Sequence, residues 1–140
     1  MSSGSCYRVH VFALSDVGKV RRSNEDSFIA ANLTEEVGIE ESGIIRFLSG
    51  TQGSLFAVAD GMGGAAAGEM ASRLCLQALY GEILALARRR GALEPDSLEQ
   101  TLIDAVAVAN RRVFELSKSD AELAGMGTPR TAALALQGRL

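Results

Sequence analysis

The sequence predicts an α+β domain, with strands in the first part of the chain and helices in the second. Three observations carry that reading. Short runs rich in β-branched and aromatic residues, bounded by glycine and polar turn residues, recur up to Asp60. Two longer stretches, from Ala65 to about Arg89 and from Ser97 to about Lys118, repeat apolar residues every three or four positions. At the junction of the two patterns stands Asp60-Gly-Met-Gly-Gly64, a carboxylate delivered by an apolar run and followed at once by glycines.

Taken in order, Tyr7 to Leu14 reads as the first strand, closed by the turn chemistry of Ser15-Asp-Val-Gly18. Lys19 to Asp26 is polar and extended, Ser27 to Leu33 is a strand, Thr34 to Glu41 an acidic surface loop, and Gly43 to Leu48 a further short strand. Leu55 to Ala59 is uninterrupted apolar sequence, the pattern of a strand buried on both faces. In the first helix Met70, Leu74, Leu79 and Ile83 belong to the apolar side, and Glu69, Arg73, Gln77 and Glu82 are left for solvent. Gly91 ends it. Pro95 and Ser97-Leu-Glu-Gln100 offer a capping-box start to the second helix, whose stripe is Leu98, Leu102, Val106, Ala109, Val113 and Leu116. The paired helices are expected on one sheet face. Ser119 to Gly127 reads as a loop, and Thr131 to Leu136 starts a strand that meets Gly138 almost at once. With no repeat or low-complexity linker, residues 1–140 read as one domain, its motif-bearing part spanning about 7–136.

Composition narrows the function classes. Charged residues make up 22% of the chain and interrupt every apolar stretch, so no membrane span is expected. Met1 to Arg8 lacks the basic and apolar regions of a signal peptide, which gives a cytoplasmic reading. Cys6 and Cys75 have no metal-type spacing, and a disulfide is not expected in that compartment. A net charge of −3 argues against a nucleic-acid partner. Arg88-Arg-Arg90 and Arg111-Arg112 read as helix-end or solvated cations. His10, the single histidine, lies on a strand away from the acidic motifs and reads as structural.

Two acidic motifs carry the chemistry. Asp60 is a candidate metal ligand, and the carbonyl of Gly61 can add a second hard oxygen because glycine lets the backbone approach closely. The plain alternative is a tight Asp-Gly hairpin turn. Glu25-Asp26 closes Ser15-Asp-Val-Gly-Lys-Val-Arg21-Arg-Ser-Asn-Glu-Asp26, where Ser-Asn-Glu-Asp also suits a helix start or an exposed turn.

Together the two segments resemble the N-terminal motifs of the metal-dependent Ser/Thr protein phosphatases of the PPM/PP2C family, in its bacterial form. Arg21 stands at the family's spacing from Glu25-Asp26, and Met62 replaces the histidine of many eukaryotic relatives, as in bacterial members. Gly125-Met-Gly-Thr128 resembles a later Gly-Met-Gly-Thr-Thr segment that precedes a central strand, with Pro129 in place of the second threonine. The resemblance implies an α-β-β-α sandwich of antiparallel sheets flanked by helices, truncated here at the C-terminal side. It implies that Arg21, rather than its neighbour Arg22, binds the substrate phosphate, and that Asp60 bridges two Mn2+ or Mg2+ ions. The Gly61 carbonyl, Asp26 and Glu25 would complete this part of the centre, directly or through waters. The substrates implied are phosphoserine and phosphothreonine on phosphoproteins, in opposition to a Ser/Thr kinase. The likeness runs from about Val11 to Thr128, and the family's later aspartates, in Gly-Asp-Ser-Arg-like, Ser-Asp-Gly and Asp-Asn motifs, do not occur in these residues. The 140-residue chain is therefore expected to turn over little by itself and to expose an apolar sheet face.

Two rival readings remain. A non-catalytic phosphatase remnant or interaction module would keep the fold without turnover. Gly61-Met-Gly-Gly-Ala-Ala66 also matches the dinucleotide fingerprint G-x-G-x-x-G/A after a strand and before a helix. Against that rival, Asp60 would face the pyrophosphate, and no strand with a ribose-binding acid follows about twenty residues later.

Overall fold

The computed structural model describes residues 6–136; the expectations for Gly138 and for the first five residues lie outside them. The elements are β1 (Arg8–Ala13), β2 (Asp26–Asn32), β3 (Val37–Ile39), β4 (Gly43–Leu48), β5 (Ser54–Asp60), α1 (Ala65–Arg90), α2 (Leu98–Ser119) and β6 (Arg130–Ala135). Short 3-10 turns occupy Pro95–Ser97 and Ala121–Leu123. The strands form two antiparallel sheets, a β1-β4 ribbon and a four-stranded sheet in the order β3-β2-β5-β6. The α+β expectation and the antiparallel sheets are both met.

Core formation follows from the apolar patterns. α1 lies directly on β2 and β5, and α2 packs along α1. α1 is thus covered on two sides, and Ala71, Cys75, Leu79 and Ile83 are completely buried in it. Met70, expected in the apolar stripe, is instead largely exposed, because it lies beyond both contacts. Gly91, in the left-handed conformation (φ 75°), ends α1 as its position predicts. The ribbon lies over the other face of the four-stranded sheet, where Asn32 Nδ2 donates to the Leu48 carbonyl at 3.2 Å.

Three expectations need correction. The loop over Thr34 to Glu41 contains β3, paired with β2. Asn32 Oδ1 accepts the N–H groups of Thr34 and Glu35, Glu36 adopts φ 56°, and Gly38 lies so close to Ala30 that a β-carbon would stand 2.7 Å from its carbonyl oxygen. This pairing is made by main chain, so the polar sequence gave no sign of it. β5 is not buried on both faces: Leu55, Ala57 and Ala59 are, but Val58 is exposed, because the ribbon covers the far face only in part. No capping box forms at Ser97, whose hydroxyl donates to the Glu94 carbonyl at 3.0 Å while the 3-10 turn makes the start of α2. Both cysteines are free thiols, Cys6 exposed and Cys75 buried.

Candidate active site

The register of β2 on β5 brings the two acidic motifs together. Asp26 is the direct cross-strand partner of Asp60. The Gly61 N–H donates to the Glu25 carbonyl at 3.1 Å, which makes Glu25 and Gly61 a hydrogen-bonded pair. In the alternation of an antiparallel ladder, Asp26 and Asp60 then form the non-hydrogen-bonded pair, the arrangement in which side chains approach most closely. Both residues are exposed. The hydroxyls of Ser27 and Ser72 lie 2.9 Å apart and mark the helix side of β2, so Asp26 and Asp60 lie on the opposite face. Like charges directly opposite each other destabilise a sheet, and a divalent cation between them reverses the sign of that interaction.

Local structure holds the pair in place. Asn24 Oδ1 accepts the Asp26 N–H at 3.1 Å, and Asn24 Nδ2 donates to Ser15 Oγ at 2.7 Å, so the side chain preceding the acids fixes the entry to β2. Sequence reading missed Asn24, though an Asn two residues before a functional acid is the signature of an Asx turn. Beyond Asp60 the chain needs its glycines. A β-carbon on Gly61 would overlap the Gly68 carbonyl and stand 2.6 Å from the Glu25 carbonyl oxygen, while Gly63 and Gly64 adopt φ of 126° and 87° on the way into α1. The hairpin alternative for Asp60-Gly61 therefore fails, because the segment passes directly into a helix.

The Gly125-Met-Gly-Thr128 segment closes the other flank. Met62 N–H donates to the Gly127 carbonyl at 2.8 Å and Gly127 N–H returns a bond at 3.0 Å. The Asp60 N–H donates to the Pro129 carbonyl at 3.0 Å, and proline has no N–H to return. Asp26 and Asp60 border a cleft of about 380 Å³ that Ser15 and Asp16 also line. A second cleft, of about 290 Å³, joins Asp26 to Glu40, Glu41, Glu69 and Arg73. Arg73 and Glu69 are exposed, as their helix positions predict, and pair at 2.8 Å on the wall of this cleft.

Not every expected residue joins the pair. Glu25 is half-buried, and its carboxylate points to α1, against Gly68, instead of lying beside the aspartates. Arg21 and Arg22 are exposed in the segment between β1 and β2 and line neither cleft. His10 is exposed on β1 opposite Arg46, away from both. Among the described residues no group of three or more His, Cys, Asp or Glu side chains is placed to hold a metal ion. The donor set fits part of a hard-cation site, two carboxylates and a nearby backbone carbonyl.

The dinucleotide rival fails on topology. β5 and β6 are antiparallel neighbours joined through two helices, so the glycines do not open a parallel βαβ unit.

No family model matches the sequence, and no curated protein matches it. Among solved structures, the crystal structure of the Mycobacterium tuberculosis serine/threonine phosphatase PstP/Ppp matches 94% of this chain, with 31% sequence identity and a TM-score of 0.58. The chain is similar to the N-terminal part of a PPM/PP2C-type phosphatase. It spans 43% of the length of that solved relative. The paired aspartates thus sit on a fold shared with a serine/threonine phosphatase. Among the described residues no helix is long and apolar enough to cross a membrane.

Proposed function

We propose that this chain supplies metal- and phosphate-binding residues of a protein serine/threonine phosphatase, a hydrolase acting on phosphoserine and phosphothreonine in cytoplasmic phosphoproteins made by a Ser/Thr kinase. The observation that carries the reading is the cross-strand pairing of Asp26 with Asp60. Asp60, the Gly61 carbonyl and Asp26 are the proposed ligands of Mn2+ or Mg2+, hard cations that take oxygen donors. Such ions, when bound, neutralise phosphate charge and lower the pKa of the attacking water. Arg21 is the proposed phosphate ligand, since a guanidinium donates two parallel hydrogen bonds to phosphate oxygens. Glu25 supports the centre from the α1 side.

Calorimetric titration of Mn2+ into the chain and into Asp60→Asn tests the ligand assignment. Binding is expected in the first and lost in the second; equal binding overturns it. In a full-length relative, Arg21→Ala is expected to raise KM for a phosphopeptide and leave metal affinity unchanged. Unaltered kinetics would move the phosphate role elsewhere.

A second reading rests on the two-carboxylate donor set: the 140-residue polypeptide, assayed alone, is a non-catalytic metal binder or interaction module. Metal-dependent turnover of an aryl phosphate at the rate of an intact family member, abolished by Asp60→Asn, would eliminate that reading.

A further inference from the structure

We infer that Gly68 is a positioning residue, kept without a side chain so that the Glu25 carboxylate can occupy one place at the corner formed by β2, Gly61 and α1; the inference rests on the metal reading above. Gly68 is the fourth residue of α1. A β-carbon there would overlap Oε2 of Glu25 and stand 2.9 Å from its Cδ and 3.2 Å from its Cγ. The three nearest atoms all belong to that one side chain. The Glu25 main chain is tied down separately, since its carbonyl accepts the Gly61 N–H at 3.1 Å. The Gly68 carbonyl in turn lies against Gly61, the residue whose own carbonyl is the proposed metal ligand. Carboxylate, glycine and ligand loop thus form a single contact.

A second glycine in the same helix supplies the contrast. Gly81 also lies within α1, and a β-carbon on it would meet nothing within 4 Å. Neither residue has positive φ, so alanine is conformationally acceptable at both. Alanine is the better helix former, and substitution favours α1 at either site. The difference lies in what yields. At Gly81 nothing has to move, whereas at Gly68 the flexible end of Glu25 must swing away, because the backbone on both sides is fixed. Helix stability and carboxylate placement are therefore opposed at Gly68 and unrelated at Gly81. Groups that orient a metal site from behind its ligands commonly change affinity by about 10–100-fold when removed.

The test is a set of variants of the 140-residue chain, read by Mn2+ affinity and by Tm. Gly68→Ala is expected to weaken Mn2+ binding roughly tenfold without lowering Tm, and Gly81→Ala to raise Tm with affinity unchanged. Glu25→Ala should lose as much affinity as Gly68→Ala, and combining the two should add nothing. Glu25→Asp, one methylene shorter, should restore part of the affinity lost in Gly68→Ala. Unchanged Mn2+ affinity in Gly68→Ala, or losses that multiply in the double variant, would overturn the inference. If the unsubstituted chain binds no Mn2+, the metal reading itself fails. The placement of Glu25 is then read from Tm alone: Gly68→Ala should raise Tm more in the Glu25→Ala background than in the native one, and equal gains refute it.

Discussion

The two faces of the four-stranded sheet differ sharply at the end that carries the acids. Towards α1, Ile29, Ala31, Leu55, Ala57 and Ala59 are each at most 5% exposed. On the other face Val58, two residues before Asp60, is 56% exposed, although its cross-strand partner Phe28 is buried. The helix face is a finished core, whereas the other face is covered over Phe28 and Ala30 and leaves an open shelf only from Val58 to the acids. The contrast shows that folding and chemistry use different sides of the same strands: helix packing fixes the register, and the register then places two carboxylates opposite each other on the side away from the helices.

The largest expected effect tests the finished face. Leu55→Ala, which removes a completely buried side chain, is expected to cost about 2–5 kcal/mol in urea unfolding, whereas Val58→Ala is expected to cost about 0.5 kcal/mol or less. Equal losses would erase the distinction between the faces. A smaller effect sharpens the character of the shelf. Without metal, Asp60→Asn relieves the repulsion from Asp26 and is expected to stabilise the chain by roughly 0.2–1 kcal/mol at low salt. The gain should fade in high salt as the charges are screened. A loss of stability in metal-free buffer would mean that Asp60 is held by a favourable partner.

The smallest effect concerns an acid that is already neutralised. Glu36 accepts from Arg88, through both the Nε and the terminal nitrogen of the guanidinium. That hydrogen bond, with the nearby positive charge, outweighs desolvation and holds the Glu36 carboxyl below its ordinary range, and raises the Arg88 guanidinium. A depressed folded value stabilises the fold above the unfolded pKa, and the contribution is lost as pH falls through the folded value, below the ordinary carboxylate range. Both groups face solvent, so the loss is small. A plot of Tm against pH should show a slightly shallower acid limb in Glu36→Gln; identical limbs would remove the pair from the pH response.

Much of this organisation was legible in the sequence, because periodicity and punctuation report directly on burial. The bounds of β1, β4 and α1, and the strand that delivers Asp60, follow from apolar runs ended by glycine or polar turns. The meeting of Asp26 and Asp60 was legible only through resemblance, since no local pattern states which residues of two strands face each other. β3 was hidden because Val37-Gly-Ile39 pairs through main chain beneath an acidic exterior. The orientation of Glu25 was hidden too: its neighbour Asp26 points to the opposite face, and the space it occupies is defined by Gly68, more than forty residues away.

The pairing of β5 with β6 carries a consequence for how the sheet is assembled. The same alignment of β5 and β6 runs from Ser54 opposite Ala135, through Ala59 opposite Arg130, to the mutual bonds of Met62 and Gly127. β6 itself, Arg-Thr-Ala-Ala-Leu-Ala, has small side chains around one large buried residue, Leu134, which stands opposite Leu55. A slide that moved Pro129 opposite Val58 would set Ala132 in place of Leu134 against Leu55 and would leave the missing donor inside the ladder, as it is now. Leu134 thus sets the alignment, and Pro129 marks the break between the continuous β6 ladder and the Met62–Gly127 bonds. That break gives up a single hydrogen bond, the one that would have reached the carbonyl of Asp60.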